Sequence, residues 1–266
     1  MARKIGWKMI RSHLLNFLIR LPIGLVAWLW PPRFVLYGHL VSDRKDCIAA
    51  QRYRYPTFAE FAHFREIAER LNYRFVTIDE YFSDAWPRMI LLTFDDGFVE
   101  VAEFHRRTML PFVLFVVTNA LDDPKFGLGV FRSQPKAFLN RAEIVNLKQA
   151  GIHVGFHTRS HKRITTLADL DGETSPPEHL SDLMSSPLCF AFPFAGPIDY
   201  RPVSAALFAS GYEFVFDTKM RADSDGRHVF RISMDRELND PIDNPILANI
   251  VQARISALKR AWGRLR

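Results

Sequence analysis

Residues 90–97 read ILLTFDDG, a short apolar run that ends on two adjacent carboxylates, Asp95 and Asp96, and then a glycine. An apolar run of this length bounded by a turn signal reads as a buried strand. A strand that only had to stop could do so on one Asp followed by Gly, and neighbouring carboxylates repel. Either one Asp caps a helix starting near Phe98 while the other faces water, or the two share a chemical task.

Working outward, short apolar runs alternate with helical patterns. RFVLYGH (33–39), RFVTI (74–78), RMILLTF (88–94), PFVLFVV (111–117), IHVGFH (152–157), LCFAFPF (188–194), EFVF (213–216) and FRISM (230–234) predict strands. Segments 57–71, 99–108, 141–150 and 203–211 predict helices, the last two closed by Gly151 and Gly211. This alternation implies a parallel sheet, open or closed into a barrel, with reactive side chains at the carboxyl ends of strands. Asp95 and Asp96 stand at such an end.

The 266 residues are 48% hydrophobic and 24% charged, an ordinary globular composition without a visible repeat. Cys47 and Cys189 are the only cysteines, so no disulfide framework is expected, and a reducing compartment is favoured. The net charge of +6 sits at the ends. Residues 1–33 carry Arg3, Lys4, Lys8, Arg11, Arg20 and Arg33 without an acid, and residues 245–266 carry Arg254, Lys259, Arg260, Arg264 and Arg266 without one. The middle is net negative, which argues against a nucleic-acid-binding face.

Both ends are amphipathic. Trp7, Ile10, Leu14, Phe17, Leu18 and Leu21 recur at helical spacing until Pro22, and the apolar run to Trp30 is broken by Arg20 and Pro22. It is too short for a comfortable span and lacks a small-residue cleavage site. A basic helix with interfacial tryptophans suits an anionic membrane surface, here the inner face of the cell membrane. Docking on the body or another subunit, or an uncleaved anchor, are the alternatives. Ile246, Ile250, Val251, Ile255, Leu258 and Trp262 form a similar stripe, expected to pack on the body. The chain thus divides into a basic extension (1–33), a central domain (34–240) and a C-terminal helix (241–266).

In GFHTRSH (155–161), His157 closes a strand and His161 follows four residues later. On one helical turn that spacing sets both imidazoles on one side. Two histidines and one carboxylate, with positions left open, form the donor set of a catalytic zinc-type site. Taken alone, such a pair is more simply a surface feature.

TFDDG (93–97), HTRSH (157–161), FAFPFAG (190–196) and LFASGYEFVF (207–216), in that order, resemble the polysaccharide deacetylases, the NodB-homology enzymes of carbohydrate esterase family 4. The resemblance runs from about Phe34 to Met234. It implies a distorted (β/α) barrel with fewer than eight repeats. It gives Asp96, His157 and His161 to a divalent cation, zinc by default with cobalt, nickel or manganese as alternatives, and Asp95 to the general base. Thr158 takes a supporting or turn role, the backbone N–H of Phe194 helps hold the tetrahedral oxyanion, and His39 and Pro193 line the substrate pocket.

Three departures stand out. Ala191 occupies the place where many members carry an arginine that tunes the base, with Arg132 or Arg231 as candidate substitutes. The late leucine-x-histidine motif that supplies a general acid is missing, so Asp95 is expected to carry both proton transfers, with His228 the alternative donor though more simply a surface residue. The segment from Thr165 to Ser186 is short and polar. His13, His63, His105, His153 and His179 read as surface or structural residues. The expected function is removal of N-acetyl groups from amino sugars of a bacterial surface polysaccharide or its lipid-linked precursor. A deformylase or deacylase of another amide-bearing sugar and a weakly catalytic glycan-binding component are the alternatives.

Overall fold

The computed structural model describes residues 30–123, 126, 136–220, 226–237 and 243–263; the basic stretch 1–29 with its expected membrane or docking role, and Arg132, lie outside them. In chain order the described elements are β1 (Arg33–Gly38), β2 (Tyr53–Arg54), α1 (Phe58–Arg70), β3 (Arg74–Phe75), α2 (Ile78–Phe82), β4 (Met89–Phe94), α3 (Glu100–Thr108), β5 (Val113–Val116), α4 (Asn119–Asp122), α5 (Arg141–Gln149), β6 (His153–Phe156), β7 (Cys189–Ala191), α6 (Tyr200–Ala209), β8 (Phe214–Asp217), β9 (His228–Ser233), β10 (Arg236–Glu237) and α7 (Pro245–Gly263). Among the described residues, no helix is long and apolar enough to cross a membrane.

Local chemistry sets the helix starts. Thr57 with Glu60, Thr77 with Glu80 and Asn140 with Glu143 each form a capping box, in which side chain and backbone N–H groups satisfy one another.

Seven parallel strands close into a ring in the order β1-β9-β8-β7-β6-β5-β4, sealed by β1 on β4 with Arg33 opposite Met89 and Gly38 opposite Phe94. The expected (β/α) barrel with fewer than eight repeats is this ring. β3 stands outside it. It pairs with the start of β4 on the edge whose far half belongs to β5, and Thr77 already caps α2, so the strand expected over 74–78 shrinks to two residues.

Period-two alternation of side chains divides the strands between two faces. Val35, Leu91, Val113, Phe115, Cys189, Ala191, Phe216 and Val229, drawn from strands around the ring, form one cluster inside it. Phe34, Leu36, Ile90, Leu92, Phe94, Leu114, Val116 and Val154 face outward onto the helices, including Ile246, Leu247, Ile250 and Val251 of α7. Phe156, Phe190, Phe192 and Val215 face α6 through Val203 and Leu207. Cys47 and Cys189 are buried free thiols.

The interior leaves little slack. A Cβ on Gly155 would lie 2.6 Å from the Phe115 ring and 3.1 Å from the Cys189 carbonyl oxygen. Gly155→Ala is therefore expected to lower stability by about 1–3 kcal/mol, the usual cost of overpacking a core. Urea denaturation checks this; an unchanged midpoint would mean that the Phe115 ring has room to yield.

Candidate active site

The same alternation carries residues of one parity to the mouth of the barrel. Asp95 follows β4, His157 follows β6, His39 follows β1, and Arg231 lies within β9. Arg231 is fully buried, its guanidinium 4.7 Å from the Tyr37 ring centroid and 5.4 Å from that of Phe115. It donates from both terminal nitrogens to Asp95, Nη1 to Oδ1 at 2.6 Å and Nη2 to Oδ2 at 2.9 Å, and also from Nη1 to Thr93 Oγ1 at 3.2 Å. Of the two arginines proposed to replace the one absent at Ala191, Arg231 reaches the carboxylate, and it comes from β9, which is joined to β4 through β1.

Asp96 turns the other way. Its φ of +72°, followed by +79° at Gly97, folds the backbone so that neighbouring carboxylates face different partners. Asp96 Oδ1 lies 3.2 Å from His161 Nε2 and 3.5 Å from His157 Nε2. Asp96, His157 and His161 are all buried, and each offers a donor atom within 4.8 Å of the other two. Neither oxygen of Asp96 accepts a hydrogen bond, a costly condition for a buried carboxylate unless a cation completes it. His157 Nδ1 bonds the Ala191 carbonyl at 2.8 Å, which places its proton there and presents the Nε2 lone pair to the cluster. Burial pushes His157 down to about 4, keeping the ring neutral as a ligand must be. Burial pushes Asp96 up, but the imidazoles of His161, His39 and His157 outweigh it and hold the carboxyl well below its ordinary range. These donors fit a divalent cation.

The histidine pair does not sit on a helical turn. Residues 157–161 form a loop with φ of +65° at Thr158 and +59° at His161. Glu173 pins it by accepting from the Ser160 backbone N–H and hydroxyl at 3.0 and 2.5 Å. Thr158 thus takes a turn role. The polar segment that follows folds partly as two short 3-10 turns, Leu167–Leu170 and Glu178–Leu183, rather than a helix.

His39 sits closer to the chemistry than a pocket-lining role requires. Its Nδ1 bonds Asp235 Oδ2 at 2.6 Å, its backbone N–H bonds the same oxygen at 3.0 Å, and its Nε2 lies 3.7 Å from Asp96 Oδ2. Tyr53 stacks on the imidazole at 4.0 Å with an interplanar angle of 10°. Burial pushes His39 down, yet the Asp235 hydrogen bond and the charge of Asp96 raise it to about 9. Asp235 went unrecognised in the sequence; only its place one residue after the FRISM strand hinted at it.

Pro193 is buried, whereas Phe194 is exposed at φ +62° with its ring 4.8 Å from that of His161. His228 is not at the surface. It is buried between β9 and α6, where its Nδ1 meets Ser204 Oγ at 3.0 Å, so it is not among the residues gathered around Asp95 and Asp96.

Residues 83–181 match the family profile described as polysaccharide deacetylase. No curated protein sequence matches the chain. Among solved structures, IcaB from Ammonifex degensii is similar at 18% identity and a TM-score of 0.55, covering 83% of this chain and 97% of its own. A de-N-acetylase from Aggregatibacter actinomycetemcomitans is similar at 17% identity and 0.53, covering 75% and 93%. The deacetylase PplD from Streptococcus pyogenes, in complex with acetate, is similar at 14% identity and 0.57, covering 77% and 91%.

Removing one partner of a buried ion pair strands the other, at a cost of about 3–5 kcal/mol. Arg231→Met and Asp95→Leu should each show a loss of that order in urea denaturation. The double variant should regain much of it, because no buried charge is left unpaired. Strictly additive losses would mean that the pair does not act as a unit.

Proposed function

We propose that the chain is a polysaccharide deacetylase, the family whose profile matches residues 83–181, and that it hydrolyses N-acetyl groups on amino sugars of a bacterial surface polysaccharide or its lipid-linked precursor. The observation that carries this reading is the separation of tasks between the adjacent carboxylates. Asp96 joins His157 and His161 in a donor set, while Asp95 is locked by Arg231 beside it, 3.9 Å from His157 Nε2. A binding protein has no need of that second, oriented carboxylate.

A divalent cation held by Asp96, His157 and His161, zinc by default, would supply Lewis acidity, making water a better nucleophile and polarising the amide carbonyl. Asp95 then acts as general base, taking the proton of the attacking water while Arg231 holds both its oxygens in place. The Phe194 backbone N–H would help hold the developing oxyanion, a role indifferent to its side chain. The amine cannot leave as an anion and needs a proton. The sequence alone pointed to Asp95 for this second step. The geometry favours His39, which is charged at neutral pH, tethered by Asp235 and aimed at the cluster from the opposite oxygen of Asp96. His228, enclosed with Ser204 on the helix side, is not the donor in this reading.

Acetate release from defined N-acetylglucosamine oligomers with several divalent metals tests the reaction. Asp96→Asn, His157→Ala and His161→Ala are expected to lower metal content, whereas Asp95→Asn keeps the metal and loses about 10² or more in rate. An emptied site in Asp95→Asn would refute the division of roles.

Because the Asp235 hydrogen bond raises His39, its protonated form is present below the raised value and lost above it, so the rate should fall on the alkaline side. Asp235→Asn removes the carboxylate that raises His39, so the alkaline limb should move to lower pH, and His39→Gln should lose about 10²–10⁴ in turnover. An alkaline limb that stays put in Asp235→Asn would rule out His39 as the proton donor.

A further inference from the structure

Asp217 ends β8, is completely buried, and plays no part in the chemistry described above. It belongs to the face of β8 that carries Val215 toward α6, away from the barrel interior. Its Oδ1 accepts from the backbone N–H of Gly196 at 3.0 Å and from that of Lys219 at 3.0 Å. Lys219 Nζ closes the arrangement on the Gly196 carbonyl at 3.2 Å, and the neighbouring Thr218 hydroxyl meets the Phe194 carbonyl at 3.4 Å. His228 Nε2 lies 3.5 Å from Asp217 Oδ2, while its Nδ1 meets Ser204 on α6.

Serine, histidine and aspartate in a row suggest a nucleophilic triad, but all three are buried, so no substrate carbonyl could reach Ser204. What the group does touch is the loop after β7. A Cβ on Gly196 would stand 2.7 Å from Asp217 Oδ2 and 3.0 Å from the Phe192 ring, so only glycine lets the backbone N–H press against the carboxylate. Two residues earlier, Phe194 holds a left-handed φ of +62°, which a non-glycine residue keeps only where its surroundings impose it.

We propose that Asp217 is the positioning residue for the oxyanion contact: by accepting from Gly196 N–H it fixes the loop 192–196 and so holds the Phe194 backbone N–H toward the reacting centre. This rests on the deacetylase reading for the role of Phe194, not for the geometry. Because the oxyanion exists only on the way to the transition state, losing this support lowers kcat and leaves KM and metal content unchanged.

The test uses the full-length chain loaded with zinc, with 4-nitrophenyl acetate and an N-acetylglucosamine tetramer as substrates. Asp217→Asn keeps an acceptor oxygen and is expected to stay within about threefold of the parent kcat. Asp217→Ala and Gly196→Ala are expected to lose about 10², the lower end for removal of an oxyanion donor, at unchanged KM and bound zinc. A folded Asp217→Ala with near-parent kcat, a loss that follows zinc content or KM, or an Asp217→Asn as impaired as Asp217→Ala would overturn the proposal. If Asp217→Ala does not fold, Gly196→Ala decides by the same measures. The ester needs the same oxyanion contact but no amino sugar, so a parent enzyme active on the ester and inert on the tetramer would remove the substrate reading and still test Asp217.

Discussion

The buried pair between Arg231 and Asp95 is the constraint around which the mouth of the barrel is arranged. A guanidinium with no solvent access has to be matched by a carboxylate in good geometry, and the two parallel hydrogen bonds supply that match. Tyr37 and Phe115 flank the guanidinium, so the ion stands on an apolar floor. Once Asp95 is committed to Arg231, its neighbour cannot share that direction. The left-handed turn at Asp96 and Gly97 carries the second carboxylate to the histidines. A repulsive dipeptide becomes tolerable because each member has its own positive partner, present or recruited.

Supporting contacts reach the site from several elements. The Ala191 carbonyl sets the His157 tautomer, Glu173 pins the loop that delivers His161, and Asp235 holds His39 by ring and backbone together. The small antiparallel ribbon of β2 and β10, with Tyr53 opposite Glu237, ties the loop after β1 to the loop after β9. Its Tyr53 ring lies flat on His39. The reacting groups therefore stand at the ends of strands, while their orientation is decided by loops locked from outside, which is how a rigid barrel achieves placement without giving up a stable core.

Charge is distributed unevenly among these groups. His157 is held neutral by burial, which suits a ligand, while His39, somewhat more exposed, is held charged by Asp235 and Asp96. Two imidazoles at the mouth of one barrel thus differ in protonation because one Nδ1 faces a backbone carbonyl and the other a carboxylate.

The linear sequence determined the strands, the helices and the ordered motifs that contain Asp95, Asp96, His157 and His161, because period-two and period-3.6 patterns and short motifs are local. It also made a parallel sheet legible, since strands separated by helices cannot pair as hairpins, while its closure into a barrel was implied only by the family resemblance. It could not say that Arg231 lies under Asp95, 136 residues away in the chain, or that Asp235 tethers His39, because ring closure between β1, β4 and β9 makes those neighbours. Local reading misplaced His228, whose burial depends on the packing of α6 against β9, and it put His157 and His161 on a helical turn that is in fact a loop pinned by Glu173. Residue type and spacing reveal which groups are capable of chemistry; which of them meet, and in which protonation state, is set by burial and long-range pairing that only the closed barrel creates.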